Sequence, residues 1–347
     1  MNSKPPVLIL LRSPETIRRQ YYDGITRAFP DLKVTLVDNV AKAELSHLAD
    51  AEIIITHGPH LEERAGFVLG NAPKLRWVQG IGTGVDNIAD RRELRDEVMV
   101  TCIQGVHGAP MSEAAMCAML ALSRKLPRSM ANKAAHKWEN WPSRTLDGKT
   151  VGILGVGLIA EAMAPRFKAF NMTVIGISSG VRAVAGFDRI EDRSKLLQVV
   201  PELDYFVVLT PYSPATRHIV NAQVLGAMKP TAYLINLARG GVLDEEALLD
   251  TMRNRRIAGA ALDVYAREPL PKDHPFWDMD DMILTCHQAA TNENSAQNNL
   301  PIINDNIRRF IAGDFAGMKN VVKRIGDPPH DPPEPDRKST RLNSSHT

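Results

Sequence analysis

The first part of the chain alternates short apolar runs with longer segments in which apolar and polar residues recur at helical spacing. Residues 17–29 form one such helical segment. Short apolar runs that alternate with amphipathic helices are typical of strands in a parallel sheet. The pattern therefore predicts a parallel α/β domain, with strands at residues 7–11, 33–37, 53–56, 75–79 and 98–101.

The pattern changes around residue 105, where a helix is predicted to follow. Ser112 can cap its N-terminus, and an alanine-rich apolar run extends it to Leu126, before Pro127 ends it. A second α/β series comes next, and a helical segment at residues 300–312 then returns to the first domain. Six strand candidates in this series fit a doubly wound nucleotide-binding sheet. They lie at residues 151–154, 173–177, 205–209, 232–237, 259–263 and 282–285.

A glycine-rich connection, Gly-Val-Gly-Leu-Ile-Ala, joins the first strand of the second series to the next helix. Gly155 permits a tight turn, Gly157 lets the backbone approach a pyrophosphate, and Ala160 lets the helix pack closely. The helix N-terminus at Leu158 and Ile159 offers free N–H groups and the positive end of the helix dipole. We predict a dinucleotide site here; a glycine turn without a ligand is the alternative interpretation.

Composition and charge exclude several classes of protein. A length of 347 residues allows two domains, and a formal net charge of +2 creates no large basic field for nucleic acid or an anionic membrane. No apolar run has the length of a signal-peptide core or a membrane span. Cys102, Cys117 and Cys286 are widely separated, so neither a disulfide framework nor a metal site is expected. We therefore expect a cytoplasmic protein without nucleic-acid or membrane partners.

Polar residues follow three of the predicted strands, in the segments 236–241, 263–270 and 285–288. Ligands bind at this edge of open α/β sheets. Through these motifs the chain resembles the D-isomer-specific 2-hydroxyacid dehydrogenases, especially the glyoxylate/hydroxypyruvate reductase branch, from residue 7 to residue 322. The resemblance implies a catalytic set of Arg239, Glu268 and His287.

The roles of these three residues also follow from their chemistry. Reduction of a 2-oxo acid needs a proton for the developing alkoxide, and His287 is our proposed general acid. A carboxylate at Glu268 would orient the imidazole and favour its protonated form. Arg239 offers a planar bidentate donor for the substrate carboxylate and polarises the carbonyl. A surface arginine, a solvated glutamate and a capping histidine are the alternatives, but their placement at successive strand ends favours catalysis.

The resemblance also implies how the two domains share the substrate. The backbone amides around Thr83 and Gly84 would bind the substrate carboxylate, which places the active site in the cleft between domains. Asp263 would bond the nicotinamide carboxamide, although a strand-end aspartate is also a common cap. Thr210 and Ala238, which each follow a predicted strand, are further cofactor-binding candidates.

The cofactor preference depends on the residues about 20 positions beyond the glycine turn, where an acidic residue usually reads the adenosine ribose. Here Ser178 and Ser179 supply hydroxyls, and Arg182 supplies a guanidinium. Since no carboxylate would repel a 2′-phosphate, we predict that NADP(H) is preferred over NAD(H). The alternative is that Arg182 is simply solvated.

The resemblance has three further implications. It implies a Rossmann sheet inserted into a flavodoxin-like α/β substrate domain, and a homodimer whose interface includes Trp138. Leu158, Ala160, Cys286 and Gln288 depart from the usual family pattern, so the reaction class is better defined than the substrate. The predicted NAD(P)-binding domain comprises residues 102–289, and the predicted substrate domain comprises residues 1–101 and 290–325. A disordered tail is predicted at residues 326–347, and its segment 336–347 resembles a translated sequencing adapter.

The sequence therefore predicts an NAD(P)H-dependent reductase of a small 2-oxo acid, such as glyoxylate or hydroxypyruvate, that yields the D-2-hydroxy acid. The competing hypothesis is a catalytically weak, dinucleotide-sensing binding protein of the corepressor type on the same scaffold. A formate dehydrogenase is disfavoured, because that branch pairs its histidine with glutamine where this chain has Glu268.

Overall fold

The computed structural model describes residues 4–61 and 64–325 and divides the chain into two units. The first unit ends at Gln104 and resumes at Glu293, and the second unit runs from Gly105 to Asn292. The sequence predicted these boundaries at 101/102 and 289/290. The predicted disordered tail at 326–347, with its adapter-like segment 336–347, lies outside the described residues.

The first unit is built on a six-stranded sheet of order β13-β5-β4-β3-β1-β2. Five strands are parallel, and β13 runs antiparallel to β5. The order 2-1-3-4-5 of the parallel strands is the flavodoxin-like arrangement. The strands are β1 Val7–Leu10, β2 Val34–Val37, β3 Ile53–Thr56, β4 Trp77–Gly80, β5 Met99–Thr101 and β13 Val321–Lys323.

Helices α1 to α4 share apolar contacts with this sheet, and α11 contacts α1 and stacks Phe310 on Trp77 of β4. The helix predicted at residues 300–312 begins earlier, at Ser295, and continues through Pro301. The prediction missed its first turn because that turn is rich in asparagine and glutamine and carries a weak apolar signal. The helices are α1 Glu15–Ala28, α2 Leu45–Leu48, α3 Gly58–Leu61, α4 Ala65–Gly70 and α11 Ser295–Ala312.

The second unit contains a seven-stranded parallel sheet of order β12-β11-β10-β9-β6-β7-β8. The order reverses beside the first strand of the unit, as in a doubly wound dinucleotide-binding sheet. All six predicted strands form, and the fold class is confirmed. The strands are β6 Thr150–Leu154, β7 Thr173–Ser178, β8 Arg189–Asp192, β9 Tyr205–Val208, β10 Tyr233–Asn236, β11 Gly259–Leu262 and β12 Met282–Leu284.

The edge strand β8 was not predicted. Its four residues are Arg-Ile-Glu-Asp, and none of them is fully buried. An edge strand has one neighbour and tolerates charged residues, so it lacks the apolar run by which the other strands are identified.

The long helix that opens the second unit corrects the prediction for residues 112–127. Helix α5 spans Gly108–Ser123, so Ser112 lies inside it, where its buried hydroxyl donates to the Gly108 carbonyl. Pro127 lies in the first turn of the next helix, Leu126–Ala134, where its missing N–H costs nothing. The prediction placed serine at a helix N-terminus and proline after a helix C-terminus. Serine is also accepted inside a helix and proline in its first turn, and these are the positions found here. The helices of this unit are α5, α6 Leu126–Ala134, α7 Leu158–Ala169, α8 Leu196–Val199, α9 Ala222–Ala227 and α10 Glu245–Arg253.

The length and hydropathy of the helices bear on membrane insertion. Within residues 4–61 and 64–325, none of the helices combines the length and the hydropathy needed to span a bilayer.

Candidate active site

The glycine turn between β6 and α7 has the geometry that a dinucleotide requires. Gly155 has φ of +102°, and a Cβ there would lie 2.7 Å from the backbone nitrogen of Thr210, so only glycine fits. At Gly157 a Cβ would meet nothing within 4 Å, and no side chain caps α7. Open space therefore borders the free N–H groups of the helix N-terminus, which suits a diphosphate. Leu158 and Ile159 begin the helix, as predicted.

Two other cofactor candidates lie at the carboxyl ends of the neighbouring strands. Thr210 is buried just beyond β9, and its backbone packs against Gly155. Ala238 is buried beyond β10, where its N–H donates to the Asn236 side chain at 3.1 Å. Thr210 therefore borders the glycine turn, and Ala238 follows the next strand at the same edge of the sheet.

The structure brings Glu268 and His287 into direct contact. Glu268 Oε2 lies 2.7 Å from His287 Nδ1, and its other oxygen accepts the Tyr265 N–H at 3.0 Å. Both side chains are partly exposed, so they remain open to a ligand. His287 has φ of +51°, and its N–H donates to the Asp263 carbonyl at 2.7 Å. The local backbone is therefore held in an uncommon conformation that sets the direction of the imidazole.

Arg239 lies beyond the end of β10, the strand next to β11. It is half-buried in an extended conformation, and its Nη1 donates to the Ala238 carbonyl at 2.6 Å. Arg239, Glu268 and His287 thus follow three adjacent strands, β10, β11 and β12. The structure places them at one sheet edge, the edge that carries the glycine turn.

Asp263 binds backbone N–H groups, as the alternative of a cap allowed, but those N–H groups are 25 and 26 positions away in the chain. Its carboxylate, only 2% exposed, accepts hydrogen bonds from the Thr285 hydroxyl at 2.5 Å and from the N–H groups of Gln288 and Ala289 at 3.0 and 2.9 Å. Charge-assisted bonds of this kind are strong. Asp263 therefore holds the segment that contains His287, and its binding to nicotinamide stays a prediction.

Tyr265 is a residue that sequence reasoning passed over. Its hydroxyl reaches the carbonyls of Leu262 at 3.0 Å and Thr285 at 2.8 Å, and burial raises its pKa. A Cβ on Gly240 would lie 1.8 Å from the Tyr265 carbonyl carbon, so the segment after Arg239 packs directly on this backbone. The sequence did offer one signal for this residue: it is an aromatic residue within the segment 263–270, which follows a predicted strand.

The predicted ribose-binding residues follow β7. Ser178 ends that strand, and its hydroxyl accepts the Gly180 N–H at 3.4 Å, while Ser179 comes next. Arg182 forms an ion pair with Glu161 in the first turn of α7. The guanidinium therefore lies beside the N-terminus of that helix, on an exposed side chain, and its role in binding the cofactor stays a prediction.

The predicted substrate residues Thr83 and Gly84 belong to the first unit. They follow β4 in a glycine-rich turn, in which the Ile81 N–H donates to the Thr56 carbonyl at 2.9 Å. The Ile81 carbonyl accepts from the buried Asn299 side chain at 3.1 Å. The turn is thus anchored by β3 and α11, and its binding of a substrate carboxylate stays a prediction.

Comparisons with known proteins agree with this fold. Residues 116–289 match the family model described as D-isomer specific 2-hydroxyacid dehydrogenase, NAD binding domain. The D-3-phosphoglycerate dehydrogenase of Methanocaldococcus jannaschii is 31% identical over 84% of this chain and 55% of that protein. The chain therefore spans about half the length of that relative.

Two solved structures cover almost the whole chain. A D-isomer specific 2-hydroxyacid dehydrogenase family protein from Aeromonas salmonicida is 30% identical, with a TM-score of 0.81 over 92% of this chain and 99% of that one. The NADPH-dependent glyoxylate/hydroxypyruvate reductase of Sinorhizobium meliloti, solved with NADP and sulfate, is 27% identical, with a TM-score of 0.77 over 93% and 100%.

The glycine turn and the doubly wound sheet define the second unit as an NAD(P)-binding domain. The chain belongs to the D-isomer specific 2-hydroxyacid dehydrogenase family. The family resemblance read from the motifs is confirmed.

Proposed function

We propose that the protein reduces a small 2-oxo acid, such as glyoxylate or hydroxypyruvate, to the D-2-hydroxy acid with NAD(P)H. The contact of 2.7 Å between Glu268 and His287 carries this proposal, because it supplies an oriented proton donor at the edge that bears the nucleotide turn. Arg239 follows the adjacent strand and supplies the permanent positive charge. The Sinorhizobium meliloti structure supports the choice of substrate class.

The proposed roles follow from the atoms involved. A bound nicotinamide dinucleotide supplies the hydride that goes to the carbonyl carbon. His287 then gives the proton on Nε2 to the carbonyl oxygen, while Nδ1 donates to Glu268 and thereby fixes the ring orientation. Arg239 binds the substrate carboxylate and stabilises the negative charge that develops on the oxygen. The amides of Thr83 and Gly84 are our proposed second anchor for that carboxylate.

Turnover of a substrate panel tests the proposal. The protein is mixed with NADPH or NADH and with glyoxylate, hydroxypyruvate, pyruvate or phenylpyruvate, and the decrease in absorbance of the reduced nicotinamide is measured. We expect reduction of at least one short 2-oxo acid. Cofactor binding without oxidation of either cofactor would contradict the proposal and favour the corepressor-like binding protein.

We also propose that NADP(H) is preferred over NAD(H). Ser178 ends β7, Ser179 and Arg182 follow it, and none of the three repels a 2′-phosphate. The pairing of Arg182 with Glu161 keeps the guanidinium beside the N-terminus of α7.

Changing Arg182→Ala is expected to raise the Kd for NADPH about tenfold and to leave the Kd for NADH within about twofold, because only NADPH carries the 2′-phosphate. Quenching of protein fluorescence by each cofactor measures both constants. Arg166→Ala is the matched control, because Arg166 is an exposed arginine on α7 whose Nη1 donates to the Ala162 carbonyl. Equal losses for the two cofactors, or equal affinities in the wild-type protein, would contradict the assignment.

A homodimer is the proposed assembly. Helix α6 buries none of its residues, and it exposes Leu126 by 49% and Met130 by 56%, while Trp138 beyond it is fully exposed. Several exposed apolar side chains within one short stretch of chain are typical of an interface. A cytoplasmic location without nucleic-acid or membrane partners stays a prediction.

Introducing charge tests the interface. We expect wild-type protein to elute as a dimer in light-scattering chromatography, and Met130→Asp to shift it to the monomer, because a carboxylate would be buried against apolar surface. Leu197→Asp, at an apolar position of similar exposure on α8, should leave the dimer intact. A monomeric wild-type protein, or dimers in both variants, would contradict this interface.

A further inference from the structure

Glu245 is a second carboxyl group that reaches the segment carrying Glu268. It is the first residue of α10, a helix whose N-terminus is already capped by Asp244 through the Ala247 N–H at 3.1 Å. The Glu245 side chain instead leaves its own helix and accepts the N–H of Ala266 at 2.7 Å. This bond joins residues 21 positions apart and ties α10 to the loop that follows β11.

Two carboxylates thus hold two consecutive N–H groups of one loop. Glu268 accepts the Tyr265 N–H at 3.0 Å with the oxygen that does not contact His287, and Glu245 accepts the next N–H, that of Ala266. The same peptide group packs against Gly240, where a Cβ would lie 2.2 Å from the Ala266 nitrogen. The segments bearing Arg239 and Glu268 therefore meet at one backbone amide, and Glu245 binds it.

The charge on Glu245 is sensitive to its surroundings. Burial raises the pKa of its carboxyl to about 7, and the negative charges of Glu268 and Glu246 act in the same direction, whereas the Ala266 N–H opposes them. Glu268 faces it from the loop after β11, and Glu246 lies beside it on α10. Burial lowers the pKa of the nearby His274, and the negative charges of Asp273 and Glu246 oppose that shift. Near neutral pH the site thus contains a carboxyl poised between its two charge states.

We propose that Glu245 is a positioning residue of the active site, which holds the Glu268 loop through the Ala266 N–H and, when ionised, adds a second negative charge beside the Glu268–His287 pair. The inference rests on the proposed reductase function. Glu245 and Glu268 interact electrostatically, so ionisation of Glu245 changes the field at the carboxylate that contacts His287. Loss of the hydrogen bond and loss of the charge have different consequences, so they can be separated by substitution.

The first experiment observes the carboxyl groups directly. Protein labelled with carbon-13 at the glutamate carboxyl is titrated by NMR, with no substrate or cofactor present. We expect one glutamate resonance that titrates near pH 7, that disappears in Glu245→Gln and that remains in Glu246→Gln. Titration of every glutamate below about pH 5, the ordinary range for this side chain, would overturn the electrostatic part of the proposal.

The second experiment separates the bond from the charge. Glu245→Ala removes both, and we expect kcat to fall about tenfold or more with little change in KM, because Glu268 loses the support of its loop. Glu245→Gln keeps an acceptor for the Ala266 N–H, so it should recover most of kcat at its optimum. Its profile of kcat against pH should, however, lose the inflection near pH 7 that Glu245 contributes.

The matched control is Glu246→Gln, which removes the same charge one residue further along on an exposed side chain. It should retain the inflection, moved slightly to lower pH, because the Glu246 charge is the smallest of the effects that raise the Glu245 pKa. Wild-type kcat in Glu245→Ala, or identical profiles for Glu245→Gln and Glu246→Gln, would overturn the proposal. Thermal unfolding of each variant checks that it folds. If Glu245→Ala does not fold, the pH profile of Glu245→Gln, which keeps the hydrogen-bond acceptor, tests the proposal.

Failure of this proposal is distinguishable from failure of the proposed function. If wild-type protein reduces no 2-oxo acid, the reductase function fails, and the NMR titration still decides the ionisation of Glu245 in the free protein. If wild-type protein is active and the three variants behave alike, the function stands and the role of Glu245 falls.

Discussion

Replacing His287 with glutamine is expected to lower kcat for reduction of the 2-oxo acid by about 10²- to 10⁴-fold, the range for loss of a general acid–base group. Glutamine keeps a polar side chain of similar length, but its amide is far too weak an acid to protonate the developing alkoxide. The Kd for NADPH should stay within about twofold, because His287 follows β12, whereas the glycine turn at Gly155 and Gly157 lies between β6 and α7. Steady-state kinetics and fluorescence titration measure the two quantities.

The control is His47→Gln. His47 is a half-buried histidine on α2 whose ring accepts the Glu44 N–H in a capping box, and glutamine can fill the same position. This variant should be as active as the wild type. If His287→Gln kept its activity within about tenfold of the wild type, another group or a water molecule would have to deliver the proton.

The change with the second-largest expected effect is Arg239→Lys. We expect kcat/KM to fall by about 10²- to 10³-fold, the range for loss of one donor that stabilises a developing oxyanion. Lysine keeps the positive charge but loses the planar, bidentate arrangement of donors. It also cannot reproduce the second role of the guanidinium, whose Nη1 donates to the Ala238 carbonyl at 2.6 Å.

Saturation curves for the best 2-oxo acid of the panel measure this effect. Arg253→Lys, an exposed position in the last turn of α10, is the matched control and should change kcat/KM by less than about twofold. If Arg239→Lys retained wild-type kcat/KM, charge alone would explain the role of Arg239, and bidentate binding of the carboxylate would be excluded.

Local patterns predicted most of the scaffold. The strands have short apolar runs, and the turn at Gly155 needs a positive φ that glycine alone adopts without strain. Such signals are carried by residues close together in the chain. The strands of both sheets could therefore be predicted within about two residues, apart from the short edge strands β8 and β13.

The errors arose where one local signal has two structural uses. Ser112 was taken for a helix cap but satisfies its hydroxyl inside α5, and Pro127 was taken for a terminator but lies in the first turn of α6. Both residues are compatible with either position, so the local sequence does not decide between them; in the structure Ser112 is buried within α5.

The amino-acid sequence by itself determined the fold class, the nucleotide turn and the types of residue that follow β10, β11 and β12. The tertiary structure alone decided which atoms meet: the Glu268–His287 pair, the bonds from Asp263 to the segment around His287, and the reach of Glu245 to Ala266. These contacts join residues about 20 positions apart in the chain. They depend on strand order, register and side-chain direction, which the apolar pattern of a single segment does not contain.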